Sequence, residues 1–155
     1  GAKVDNAIWV TGSTVAKLAC CLLPNTDFTG SYMPGIVFSG SDLQSSVFTS
    51  CDLTGADLTE VDLADSKLDK CKMDGALLQR SILLRVDISD SSLEAARVQG
   101  SLWHEEGSGG LKAQRAILER IDFQEIDLGE ADLSEARLNM CLLSNCNLYK
   151  ANLSE

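Results

Sequence analysis

Four kinds of residue in this chain could do chemistry: six cysteines, one histidine flanked by carboxylates, recurring acidic pairs and a glycine-rich run. Cys20, Cys21, Cys51, Cys71, Cys141 and Cys146 could bind a metal or pair as disulfides. His104 precedes Glu105 and Glu106 and could move a proton. Pairs such as Asp57/Glu60 and Glu125/Asp127 could share acid and base roles, provided burial drove their pKa values apart. The run Gly107-Ser-Gly-Gly110 invites comparison with a phosphate-binding loop. Which of these is chemistry and which is architecture depends on the elements that hold them.

Those elements are set by a five-residue repeat, which comes before any reading of helix or strand. From Ala16 onward the chain divides into blocks such as Cys51-Asp-Leu-Thr-Gly, Ala56-Asp-Leu-Thr-Glu and Val61-Asp-Leu-Ala-Asp. Of 28 blocks, 26 carry Leu, Ile, Val, Met, Phe or Trp at the centre, and the two failures, Ser108 and Ala113, are adjacent. With 45% apolar residues overall, chance does not produce that column. The residue two before the centre is Ala, Ser, Thr or Cys in 21 blocks, and the residue just before it is often Asp or Asn. One large and one small inward position in five fit neither a helical stripe nor strand alternation. The backbone must turn a corner in every block, which makes a solenoid whose coils bury their faces only on one another.

This pattern resembles the pentapeptide-repeat family, A-(D/N)-L-x-x, and Ala131-Asp-Leu-Ser-Glu and Ala151-Asn-Leu-Ser-Glu match it as they stand. The resemblance covers about nine-tenths of the chain. It implies an all-β fold, a right-handed quadrilateral β-helix with four blocks per coil. Seven coils stacked at about 4.8 Å would make a rod about 34 Å long. The charges support four blocks per coil independently. Residues 20 apart bring Glu60 beside Arg80, Asp65 beside Arg85, Arg85 beside Glu105, Lys70 beside Asp90 and Arg115 beside Glu135, with opposite signs together.

Two segments depart from the repeat. Residues 1–15 carry none, yet Val4, Ile8, Trp9 and Val10 could cover the first coil, so a helical or irregular N-terminal cap is expected there. The solenoid spans 16–155 and is expected to be interrupted or bulged at 104–115. Ten residues intervene between Glu105 and Ala116, and two readings stay open. The ten form two degenerate blocks with Leu111 still inward, or the stretch protrudes as a loop and the later faces rotate. The chain also stops at Glu155 in mid-repeat, which points to a piece of a larger protein or to end-to-end self-association through an uncapped last coil.

Placed on this frame, the candidate chemistry thins. Five cysteines occupy the small inward position and Cys20 a corner, so the thiols read as small buried hydrophobes, with a Cys51–Cys71 disulfide or a metal as lesser alternatives. The acidic pairs recur because the repeat places Asp outside, and none is set apart in a pocket. The glycine run lacks the Lys-Ser/Thr of a phosphate loop. No catalytic residue, cofactor or metal ligand is expected.

Recognition is the stronger reading. Position four-sided coils in register and Ile82 lies beside Leu102, with Leu84 and His104 next to them. Leu77, Ile82, Leu84, Leu102, His104, Glu105 and Glu106 form the candidate interface, an apolar patch beside the glycine-rich segment. With Asp and Glu exceeding Lys and Arg by 23 to 13, a net charge of −10 argues against direct binding of nucleic acid or an anionic membrane. No apolar run approaches a membrane span. The expected function is a non-catalytic docking rod for a protein partner. The resemblance implies an alternative, a DNA-mimicking protein that binds a type II topoisomerase such as gyrase. Free thiols and the lack of a leader suit the cytoplasm, and a secreted-effector setting is the other expectation.

Overall fold

In a computed structural model the chain is described over residues 2–3, 7–11, 14–105 and 110–155. Each block contributes a single extended rung, the residue before the centre, and then a corner. Rungs pair in parallel with those 20 residues later: Lys17 with Val37, Val37 with Asp57, Asp57 with Leu77 and Leu77 with Arg97 down one side. The three other sides begin with Leu22, Asp27 and Tyr32 and follow the same step. Four sides and twenty residues per coil give the quadrilateral β-helix expected from the repeat.

The corners explain how five residues turn ninety degrees. Every fifth residue from Cys20 to Gly100, and again from Arg115 to Lys150, has a positive φ of 55–71°. In most corners an N–H reaches back three residues, as Ala56 N donates to Leu53 O at 2.9 Å. A positive φ at the third position of such a turn is the type II signature. Only six of these corner residues are glycine, so most corners hold a side chain in the left-handed region against its preference. The aspartates offset that cost. All nine Asp rungs, from Asp27 to Asp132, accept a hydrogen bond from the backbone N–H two residues on, as Thr59 N does to Asp57 Oδ1 at 3.1 Å. Asn147 and Asn152 do the same. The acidity of the repeat is therefore turn chemistry.

Inside, the large central residues stack in columns. Phe28 and Phe48, one coil apart, lie nearly parallel with centroids 4.8 Å apart, and Phe38 meets both edge-on. Leu43 to Leu63 are fully buried. The small inward positions tie coils together through hydroxyls: Ser66 Oγ donates to Leu43 O at 2.9 Å, 23 residues back. Cys51 and Cys71 donate to Phe28 O and Phe48 O at 3.0 and 2.8 Å in the same geometry. A thiol here does what serine does elsewhere in the column.

The start of the chain is extended where it is described. Lys3 pairs with Asp27 and Ile8 with Tyr32, at a step of 24, and the Trp9 ring tilts against Phe28 at 6.1 Å. A two-residue hairpin follows, β1 (Val10–Thr11) against β2 (Thr14–Val15). The helical form of the expected cap is thus replaced, among the described residues, by two added rungs and a hairpin that feed the first coil.

Candidate docking site

At the second exception the register changes. After Ile82–Leu102 the step becomes 25, with Asp87 paired to Lys112 and Ser92 to Ile117, and then returns to 20 from Lys112–Asp132 onward. One block has left the wall. Leu111 and Ala113 are both fully buried, so 111–115 is a working block with its large and small inward residues exchanged. The five extra residues of the longer step fall between Leu102 and Leu111, and 106–109 lie outside the described residues. Leu111 points inward and the later faces rotate by one, while Ser108, on which the two sequence alternatives differ, lies outside the described residues. Gly110 marks where the insertion rejoins, because a Cβ there would lie 1.9 Å from the carbonyl oxygen of Glu130. Only a residue without a side chain lets the backbone approach that corner. Glu106, one of the candidate residues, lies outside the described residues.

The shift opens the wall on two adjoining sides. Arg97 does not pair with Asp122, nor Leu102 with Asp127, although both would continue the step of 25. Among the described residues no backbone hydrogen bond joins these rungs, and the N–H groups of Val98, Gly100, Trp103, Asp122 and Asp127 have no acceptor. Between the two edges lies a groove of about 500 Å³ lined by Gln99–Leu102, Asp122 and Gln124–Ile126. Trp103, the bulkiest fully buried side chain, sits at this level over Phe123 and keeps the core closed behind the groove. Its Nε1 donates to Ser101 Oγ at 2.6 Å.

At the corner beside the groove a side-chain contact takes the place of the missing ladder. His104 Nδ1 lies 3.5 Å from Asp127 Oδ1, and Gly129 leaves the space the imidazole fills. Desolvation raises the Asp127 carboxyl, but the Gly129 N–H, the Asn147 amide and His104 together outweigh it and hold the group below the usual carboxylate range. The step of 20 would have put Gln124 beside His104. It is the lost block that brings Asp127 there, and nothing in the repeat announced this pair.

Of the remaining candidate residues, the structure brings Ile82 and Leu102 together as paired rungs, with Leu102 42% exposed and Ile82 half-buried. Leu84 is half-buried just past Ile82 on the strip that leads to His104, and Glu105 is exposed at that corner. Leu77 is on the preceding side, paired with Asp57 and Arg97, and is not part of the cluster. Charged corners are tied coil to coil. Arg85 grips Asp65 with two hydrogen bonds of 2.6 Å, and Arg80 meets Glu60 at 2.5 Å. Asp90 lies beside Lys70 at the step of 20 and forms its ion pair with Arg115 on the other side, at the step of 25. Hydrogen bonding with Cys51 and burial push the Cys71 thiol well up, which makes it a poor nucleophile.

A family model for pentapeptide repeats, in eight copies, matches residues 21–59, 56–94 and 126–155. The chain belongs to the pentapeptide repeat family. The match skips residues 95–125, the stretch that holds the shifted register. No curated protein matches the chain. Among solved structures it is similar to trypsin-treated QnrB1, a plasmid-mediated fluoroquinolone resistance protein, at 17% identity and TM-score 0.60 over 88% of this chain and 72% of that one. Full-length QnrB1 gives 16% and 0.59 over 89% and 82%. A pentapeptide repeat protein from the Arabidopsis thaliana thylakoid lumen gives 21% and 0.53 over 73% and 72%. At these identities the likeness is one of fold, a right-handed quadrilateral β-helix. No helix among the described residues is long and apolar enough to cross a membrane.

Proposed function

We propose that this pentapeptide repeat protein is a non-catalytic docking rod that engages a protein partner on the side carrying Ile82 and Leu102. The observation that supports this is the pairing of those two residues as neighbouring rungs on a face whose preceding rungs are Asp42 and Asp62. Apolar rungs exposed in sequence beside a register shift are what an interface requires and what a solvated wall does not. The test is partner capture by cross-linking, with wild type compared with an Ile82→Asp/Leu102→Asp double variant. Both side chains lie outside the core, so the variant keeps its circular dichroism and loses capture. Undiminished capture by a folded double variant contradicts the reading.

A second reading rests on the fold shared with a fluoroquinolone resistance protein and on the net charge of −10: a DNA mimic that binds a topoisomerase. Against it, the nine Asp rungs are committed to backbone turns, and six corner carboxylates are paired with Arg or Lys. Lys67, between Val47 and Asp87, and Lys112, between Asp87 and Asp132, break one face into alternating signs. A gyrase supercoiling assay separates the two. The docking reading expects no inhibition at low micromolar protein, and inhibition lost on deleting residues 106–110 would favour the mimic. End-to-end self-association through the last coil is a further proposal, supported by the exposure of Leu143 and Leu153 and checked by sedimentation.

A further inference from the structure

We infer that the groove between the parted rungs is a binding site for an extended, basic peptide segment, held by main-chain hydrogen bonds to both open edges. The inference deepens the docking reading, on which it rests for its biological use, by naming the chemistry of the partner. Its basis is the state of the two edges. The upper one presents the N–H groups of Val98, Gly100 and Trp103, and the lower one those of Asp122 and Asp127, all without a backbone acceptor among the described residues. The carbonyls of Ala96, Ser101, Asp122, Gln124 and Asp127 likewise receive no backbone donor. A backbone polar group that stays unpaired is costly unless water or a ligand reaches it. Another polypeptide backbone is the one ligand that offers alternating donors and acceptors at the spacing of a strand.

The charge of the groove selects the side chains. Asp122 and Glu125 line it, Asp127 lies beyond them, and no cation is among the lining residues. Arg97 heads the upper edge but makes no ion pair with a described residue. Neither Asp122 nor Glu125 is in an ion pair among the described residues, in contrast to the paired corners at Asp65 and Asp90. A lysine or arginine on the bound strand would supply what those corners already have. The apolar part of the lining is Leu102 and Ile126, at one end only, so the site favours a polar strand with basic residues.

The probe is a fluorescein-labelled octapeptide of alternating Thr and Lys, titrated by anisotropy, with amide hydrogen exchange read by NMR on the same samples. Alternating Thr and Glu, and a Thr–Lys peptide N-methylated at every second amide, are the controls. The expected result is saturable binding of the Thr–Lys peptide alone. It should weaken at least tenfold in Asp122→Asn/Glu125→Gln, since asparagine at a rung keeps the turn hydrogen bond, as Asn147 does. At saturation, exchange at Val98, Gly100, Trp103, Asp122 and Asp127 should slow at least tenfold. Absence of binding, equal binding of either control, or binding that leaves those amides unprotected overturns the inference. The titration needs no partner protein, so undiminished partner capture by the folded Ile82→Asp/Leu102→Asp variant, with intact peptide binding to the wild type, would sink the docking face at Ile82 and leave the groove standing.

Discussion

Two stretches of one wall, built from the same repeat, behave differently. From Leu22 to Leu102 every rung on that side is paired with the next, and Asp42, Asp62 and Ile82 follow without a gap. Between Arg97 and Asp127 two of four sides lose their pairing while the other two keep it at a longer step. Composition does not separate the stretches: both have buried central residues and aspartate-capped corners. What separates them is one extra block at a single corner, together with a Trp where most coils place Leu or Phe. A solenoid gains cooperativity because each coil contacts only its neighbours, and for the same reason a local misfit stays local. The coils beyond it resume the step of 20 at Lys112–Asp132.

The contrast can be broken most forcefully in the unbroken stretch. Phe48→Ala removes a fully buried ring stacked on Phe28 and edged by Phe38, and should cost about 3–5 kcal/mol in urea unfolding. A loss under about 1 kcal/mol would mean that the aromatic column does not hold the first coils together.

Next comes the point where the insertion rejoins. Gly110→Ala forces a Cβ into the Glu130 carbonyl and should destabilise by about 1–3 kcal/mol, with NMR shifts confined to the corner of Glu130 and Ala131. Gly55→Ala tests a corner where a Cβ meets nothing within 4 Å, so only the left-handed backbone is charged, at about 1 kcal/mol. Ala95→Gly, at φ 58°, should return a similar amount as added stability. If Gly110→Ala proves no worse than Gly55→Ala, the close approach at Glu130 is not a constraint.

The smallest effect is electrostatic. Hydrogen bonds from Arg85 and Arg115 hold the Asp65 and Asp90 carboxyls below the usual range, and Ser134 does so for Asp132. Groups with depressed folded pKa values contribute stability that is full above the unfolded value and is lost as pH falls through the folded one. Urea midpoints should therefore be level near neutrality and decline below about pH 4. Arg85→Ala, at an exposed pair, should lower the urea midpoint only slightly at pH 7 and less still in acid.

Much of this was legible in the sequence, for a definite reason. The five-residue period survives the insertion, because the inserted piece is itself one block long. That is why Leu111 could be recognised as an inward candidate, and also why the place of the five extra residues could not be identified by counting. The ladder charges were legible wherever the step of 20 holds, as at Glu60–Arg80 and Asp65–Arg85. Lys70 does lie beside Asp90, but the Arg115 ion pair on its other side, 25 residues on, was not foreseen. His104–Asp127 was illegible for the same reason. The first rungs, Lys3 and Ile8, carry no repeat, and their step of 24 has no signature. The parted edges accompany the change of step, and no linear pattern records which two sides lose their pairing.

The central claim is that the wall is open between the rungs at Arg97 and Leu102 and those at Asp122 and Asp127. Amide hydrogen exchange of the free protein tests it directly, by comparing Val98, Gly100, Trp103, Asp122 and Asp127 with Leu58, Glu60, Leu63, Leu77 and Ile82 on the same two sides one to three coils earlier. The account predicts that the first set exchanges at least a hundredfold faster under native conditions, because only the second donates into a ladder. Equal protection of the two sets would show that the wall is closed and would remove the basis of the proposed groove.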